Sequence, residues 1–262
     1  MPALAAAALA TSLVTGAIDL GPAGLATFAN DTLVKNPSAK PKSLGFGMQF
    51  NLGYLATHSS TTNTSLNTEL KLGYNTPTWQ NRVDLQAISS TTNGQTTAEQ
   101  YYGAGQTNHL LNQRSYVFGF AGYIHDRFSG YRYQASEVAG YGNRVINTDS
   151  QLLKLEVGVG MTQAEKITGE GEHSPAARGR ELYNWQFSDN GSLSQSLTLE
   201  KSNFNLYSQF QTSVQAQLVG NLAFVVSYSL QHNSSVPAGS PQTTSSMSVS
   251  VQYTFGSIFK QG

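Results

Sequence analysis

Cysteine is absent from the 262 residues, which excludes disulfides, thiol nucleophiles and thiolate-ligated metals. Charge is scarce as well: Asp, Glu, Lys and Arg make up 11% of the chain, against roughly a quarter in ordinary soluble domains. The 15 basic and 15 acidic residues cancel, so nothing in the balance calls for nucleic acid or another polyanion as partner. No apolar run beyond the N-terminal region approaches the ~18 residues of a membrane-spanning helix. Ser, Thr, Asn, Gln and Gly stand in for the missing charge, and the mean hydropathy is negative. The chain is polar without being charged.

What it does have is alternation. In Ser245 to Phe255 the residues Met247, Val249, Val251, Tyr253 and Phe255 hold one phase of a two-residue period, and Ser246, Ser248, Ser250, Gln252 and Thr254 hold the other. A helix would scatter those apolar residues round its axis, and a strand buried on both faces would not interleave them with Ser and Gln. One face meets an apolar medium and the other meets water. The segment also has about the 9 to 11 residues that a tilted strand needs to cross a bilayer.

The pattern returns along the chain. In Leu44 to Ala56 the apolar phase is Leu44, Phe46, Met48, Phe50, Leu52 and Tyr54; in the next run it is Leu66, Leu70, Leu72 and Tyr74; after a turn it is Trp79, Val83, Leu85 and Ala87. Glu99 to Leu111, Ser115 to His125, Tyr133 to Arg144, Gln151 to Thr162, Arg178 to Phe187, Ser192 to Glu200, Phe204 to Leu218 and Leu222 to His232 bring the count to about twelve with the terminal strand. The fifth of these is ambiguous in phase. Glu137 falls on the lipid-facing phase of the sixth, which predicts a bulge or a register shift there.

Connections sort into two kinds. Tight turns stand at Asn75-Thr76-Pro77, Leu111-Asn112-Gln113, Asn147-Thr148-Asp149, Ser188-Asp189-Asn190 and Val219-Gly220-Asn221, all rich in turn formers. The alternate connections, among them Ser89 to Thr97, Gln163 to Ala177 and Asn233 to Pro241, read as longer loops. Aromatics cluster near both ends: Phe46, Tyr74, Trp79, Trp185, Phe187, Tyr253 and Phe255 beside the short turns, and Tyr54, Tyr101, Tyr123, Tyr133, Phe204 and Tyr228 at the far side. The expected fold is therefore all-β, a single antiparallel transmembrane β-barrel of about twelve strands over residues 43–256, with short periplasmic turns and longer extracellular loops. A soluble barrel with the apolar phase inward would enclose a large apolar cavity at that strand number, and a soluble sandwich would expose unusually few charges.

Residues 1–29 read as a signal peptide, with a small apolar stretch from Ala3 to Leu20 and Ala26-Thr27-Phe28-Ala29 ahead of Asn30-Asp31, although no Lys or Arg precedes the apolar run. Residues 30–42 read as a flexible lead-in and 257–262 as a C-terminal extension. Segments such as Tyr54 to Thr68 (YLATHSSTTNTSLNT), Asn112 to Tyr133 with its Asp126-Arg127-Phe128-Ser129-Gly130-Tyr131, Trp185 to Asn190 (WQFSDN) and the terminal VQYTF resemble the bacterial salt-induced outer-membrane protein family, a barrel domain of unknown function. The resemblance spans roughly residues 44 to 255. It implies the bacterial outer membrane and no established activity, with outer-membrane lipid, lipopolysaccharide and the barrel-assembly machinery as partners.

Chemistry is sparse. His58, His109, His125, His173 and His232 are dispersed without metal-ligand spacing, so no metal and no cofactor is expected. His232-Asn233-Ser234 is the one enzymatic lead, a His and a Ser that would act on outer-membrane acyl chains, but no acid is identified to orient the His. Asp126-Arg127 reads as a loop-fixing pair or an anion contact. The polar phase carries Glu69, Lys71, Arg82, Asp84, Lys154, Glu156, Arg178, Arg180 and Glu200, five basic to four acidic, as lumen-facing candidates. The expected function is a barrel without catalytic activity, a narrow and weakly selective passive pore for small polar solutes or ions, with a link to salt stress suggested by the resemblance. The alternatives are a structural barrel closed by these charges and a lipid acyl hydrolase.

Overall fold

A strand that is apolar on one face and polar on the other still needs a partner along each edge for its backbone groups, and closure into a ring supplies both. The computed structural model describes residues 44–58, 61–127, 130–236 and 242–256. Within them twelve antiparallel strands close into one barrel. In chain order they are β1 (Gly45–His58), β2 (Thr62–Asn75), β3 (Trp79–Thr92), β4 (Gln95–Leu110), β5 (Ser115–Asp126), β6 (Tyr131–Asn147), β7 (Gln151–Lys166), β8 (Gly171–Ser188), β9 (Gly191–Ser202), β10 (Leu206–Val219), β11 (Leu222–Asn233) and β12 (Thr243–Gly256). Each pairs with its chain neighbours, and β1 closes on β12 with Phe50 opposite Tyr253 and Leu52 opposite Val251. The closing seam pairs Gly47 to Leu52 with Gly256 to Val251, which is less than half the length of either strand. The segments read as signal peptide, lead-in and C-terminal extension lie outside the described residues.

Phase decides which medium the barrel meets. Phe46, Leu52, Tyr54, Val83, Leu85, Val157, Val159, Val249, Val251 and Phe255 are exposed, while their polar alternates Gln49, Asp84, Glu156 and Gln252 are buried. An apolar exterior round a polar interior is the membrane arrangement, and it excludes the soluble barrel and the sandwich. The aromatic belts follow: Trp79 lies against His109 and Trp185 against Phe187 at one end, and Tyr123 stacks on Tyr133 with ring centroids 5.7 Å apart at the other.

Three of the five tight turns are set by side chains that accept from the backbone. The Thr76 hydroxyl accepts from the Trp79 amide at 2.9 Å, the Thr148 hydroxyl from Gln151 at 3.0 Å, and Asn112 Oδ1 from Arg114 and Ser115 at 2.8 and 2.9 Å. At the opposite end much of what reads as loop is strand. Ser89 to Thr97 is a hairpin turning on Asn93-Gly94 alone, both with positive φ (50° and 79°), as a two-residue primed turn requires. Gln163 to Ala177 is strand on either side of a turn at 167–170. Around Asn93-Gly94 Ser and Thr run with too little apolar contrast to show in the sequence, and at 163–177 charged and small residues have the same effect, yet the ladder continues past the apolar band.

Glu137 corrects a second expectation. β6 does carry irregularities, at Tyr131/Tyr133 and Arg144/Ile146, but its register with β7 runs unbroken from Gln134 opposite Ala164 to Arg144 opposite Lys154. Neither bulge turns Glu137 inward. It is exposed on the outer face, opposite Ala121 on one side and Met161 on the other.

Candidate functional site

The interior is where the sequence concentrates its polar chemistry. All nine candidate residues project from the inner face: Glu69 and Lys71 on β2, Arg82 and Asp84 on β3, Lys154 and Glu156 on β7, Arg178 and Arg180 on β8, and Glu200 on β9. They form two groups. Lys71 Nζ lies 3.0 Å from Glu69 Oε1 and sits directly across from Asp84, and Asn51 of β1 donates to Glu69. In the second group Glu156 accepts from the Tyr116 hydroxyl at 2.7 Å and from Gln106 Nε2 at 3.0 Å, with Arg180 4.0 Å from its other oxygen. Glu200 accepts from the Ser136 hydroxyl at 3.2 Å and is cross-strand to Arg178. Lys154 is 2% exposed and Asp84 fully buried. Glu69 with Lys71 and Glu156 with Arg180 are opposite signs held close in a dry interior, whereas neither carboxylate oxygen of the buried Asp84 has a hydrogen-bond partner among the described residues.

A set of aromatic residues escapes the sequence reading and fills the same half. On β5 the inner phase is Tyr116, Phe118, Phe120, Gly122 and Ile124, and its side chains other than Gly122 make one buried apolar cluster inside the barrel with Tyr102, Ala104 and Val138. This is why the phase of β5 is ambiguous: Val117 and Tyr123 face lipid and the alternate residues are apolar too. The rings carry the cations. Arg178 stands 4.0 Å over the Phe120 ring, and Arg144 and Lys154 lie 5.3 and 5.6 Å from the Tyr116 centroid. The signal that could have found them is the glycine on the facing strands. The Tyr116 ring occupies the space that a Cβ on Gly142 would need, and Phe118 and Val138 do the same at Gly158. Arg144, which also donates to Gln80 Oε1 at 3.0 Å, escapes for a different reason: it sits at the bulge, where alternation fails.

The remaining candidates are spread over the outer face and the rim. His232 Nδ1 is 2.9 Å from the Thr243 hydroxyl, whereas the Ser234 hydroxyl accepts from the Leu206 amide at 2.8 Å and approaches Asn205 Oδ1 at 3.3 Å. The Ser hydroxyl is thus engaged in holding its loop, and the His ring in a contact with β12. Asp126 accepts from Gln100 at 3.2 Å and Arg127 pairs with Glu99 at 3.0 Å, so both tie the loop after β5 back to β4. At the β7–β8 turn Lys166 Nζ lies 2.9 Å from Glu172 and 3.2 Å from Glu170; hydrogen bonds to these two hold its ammonium pKa above the ordinary value. Among the described residues no group of three His, Asp or Glu is placed to hold a metal ion.

Comparison with known proteins agrees with this architecture. A family model described as "Protein of unknown function, DUF481" matches residues 50–255. The "Uncharacterized protein YdiY" of Escherichia coli (strain K12) is 26% identical over 221 residues, covering 81% of this chain and 83% of its own. Among solved structures, the NanC porin superposes with a TM-score of 0.50 at 11% identity, covering 80% of this chain and 99% of the porin. The translocator domain of the autotransporter NalP from Neisseria meningitidis gives a TM-score of 0.46 at 10% identity, over 82% and 89% of the two chains. At such identities the porin shares the fold, and the fold is that of the bacterial outer membrane.

Proposed function

The chain belongs to the DUF481 family, and from that footing we propose that this outer-membrane barrel is a non-catalytic, narrow pore giving slow passive passage to small polar solutes or ions. The observation that carries the reading is the state of the inner face on one side. On β10, β11, β12, β1 and β2 the inward residues at mid-strand, among them Ser213, Ser227, Ser248, Asn51 and Asn67, are partly exposed although they point into the barrel. Solvent-sized space therefore borders them. Twelve strands also lie between the ~8-stranded barrels that side chains fill and the ~16-stranded open porins.

A second reading, a structural barrel with a closed lumen, has its own observation: the inner faces of β4, β5, β8 and β9 are buried throughout their length apart from the strand ends. Reconstitution into planar bilayers separates the two. Small conductance steps with weak ion selectivity support the pore, because the lumen charges nearly balance. A protein that inserts, resists heat as a folded barrel and stays silent over a range of salt concentrations is the structural barrel. The proposal extends to export under residues 1–29, assembly by the outer-membrane insertion machinery beside lipopolysaccharide, and a salt-stress role, which growth of a deletion strain at high osmolarity would test.

A further inference from the structure

The residues on the inner wall of β10, β11, β12 and β1 differ in kind from those opposite. None of these four strands contains Asp, Glu, Lys or Arg. Register instead aligns serines: Ser194 of β9 is opposite Ser213 of β10, Ser213 is opposite Ser227 of β11, and Ser227 is opposite Ser248 of β12. The adjacent row runs Ser196, Gln211, Ser229 and Ser246. From β10 onward both rows are partly exposed, and they have bulky neighbours only at their margins, where Gln209 and Gln231 lie opposite each other.

Those margins supply an independent observation. Gln209 and Gln231 are each 2% exposed, and the side-chain oxygen of each is without a hydrogen-bond partner. Ser229 Oγ and Asn51 Oδ1, in the same wall, are likewise unpartnered. A buried amide oxygen left unpaired costs about 1–3 kcal/mol, so these four acceptors mark a place where a donor is wanted. Serine hydroxyls beside them both donate and accept and rotate to suit.

We propose that this serine and glutamine wall is a binding surface for small neutral polyhydroxyl compounds, and that such solutes move along it and not along the charged wall. Hydroxyl groups are the chemistry that fits, since each can donate to an unpaired amide oxygen and accept from a serine. An ion gains nothing from a wall without charge, and on the opposite wall Glu69 is engaged with Lys71 and Glu156 with Arg180. The passage half of this inference rests on the pore reading above; the binding half does not.

The natural chain has no Cys, so single-cysteine variants report cleanly. Ser227→Cys and Ser248→Cys are compared with Thr198→Cys and Ser136→Cys of the buried wall, in refolded protein whose heat-modifiable gel mobility shows an intact barrel. A water-borne methanethiosulfonate reagent should label the first pair at least about tenfold faster, since a thiol reacts only where solvent reaches it. Ribose or erythritol should slow that labelling, and sodium chloride should not. Equal rates at all four sites, or rates indifferent to ribose, overturn the binding surface. Liposome swelling then tests passage alone: ribose influx that falls after labelling at Ser227→Cys supports it. Protection by ribose with no swelling would leave the binding surface standing and sink both passage along it and the pore.

Discussion

Two halves of the barrel solve the same problem in opposite ways. From β3 to β9 the interior is charged, aromatic and largely buried, with Glu156, Arg180, Tyr116 and Gln106 in one network and Arg178 lying on Phe120. From Ser202 to Phe259 the chain contains no Asp, Glu, Lys or Arg at all, and its inward residues at mid-strand are small and partly solvated. A buried charge must be matched at fixed geometry, so the first half is constrained residue against residue. A hydroxyl or amide at the water's edge is satisfied by whatever arrives. The first half packs its side of the interior, and the second leaves its mid-strand residues partly exposed.

The largest effect expected from that contrast is at Glu156. Glu156→Ala removes the acceptor for the Tyr116 hydroxyl and Gln106 and the counter-charge nearest Arg180, and should cost about 3–5 kcal/mol, the usual range for one half of a buried pair. Urea titration of the folded barrel in lipid vesicles measures it. A loss no greater than that of a surface substitution would show that the charged wall is not a coupled network.

Next is the test of inside against outside on the neutral half. Val249→Arg places a cation in the apolar band and should cost about 2–4 kcal/mol, while Ser250→Arg, one residue along, points into the lumen and should cost much less. Equal costs would contradict the assignment of the phases. A third, smaller effect belongs to the aromatic packing of the charged half. Gly142→Ala puts a methyl group where the Tyr116 ring lies and should cost about 1–3 kcal/mol by overpacking, against little at the outward Gly179, where a Cβ meets nothing within 4 Å.

The two halves were not equally legible in the sequence. β12, β1, β2 and β3 show their phase at once, because apolar residues there alternate with Ser, Gln, Asn or charge. The turn residues Asn75-Thr76-Pro77 and Val219-Gly220-Asn221 fixed the strand boundaries for a local reason that needs no tertiary information. β5 and β6 were opaque, since Phe118 and Phe120 face inward while Val117 and Tyr123 face lipid, and periodicity cannot rank two apolar faces. Only the facing glycines, Gly140, Gly142 and Gly158, hint at the rings packed over them, and they lie on other strands. Glu137 is the reverse case. Its outward phase was read correctly from alternation, and the bulge invoked to remove it from lipid is not at that position. The nine charges were visible on the polar phase; their division into two groups depends on register across strands that one sequence does not display.

The smallest expected effect is the most telling for the neutral half. Ser227→Ala and Ser248→Ala remove hydroxyls that face each other across β11 and β12 and border solvent, so neither strands a buried partner. Each should change stability by no more than about 0.5 kcal/mol, as substitutions away from packed or paired features do. Because the two are neighbours, the double variant matters more than either alone: if they only line a wet surface their effects add, and if they form a hydrogen-bonded ladder the second removal costs less than the first. A summed loss well above 1 kcal/mol, or strong non-additivity, would mean that the serines hold the sheet together and are not free to receive a solute. Stability that stays flat while ribose protection of a cysteine placed at Ser213 weakens would separate the two roles in one pair of measurements.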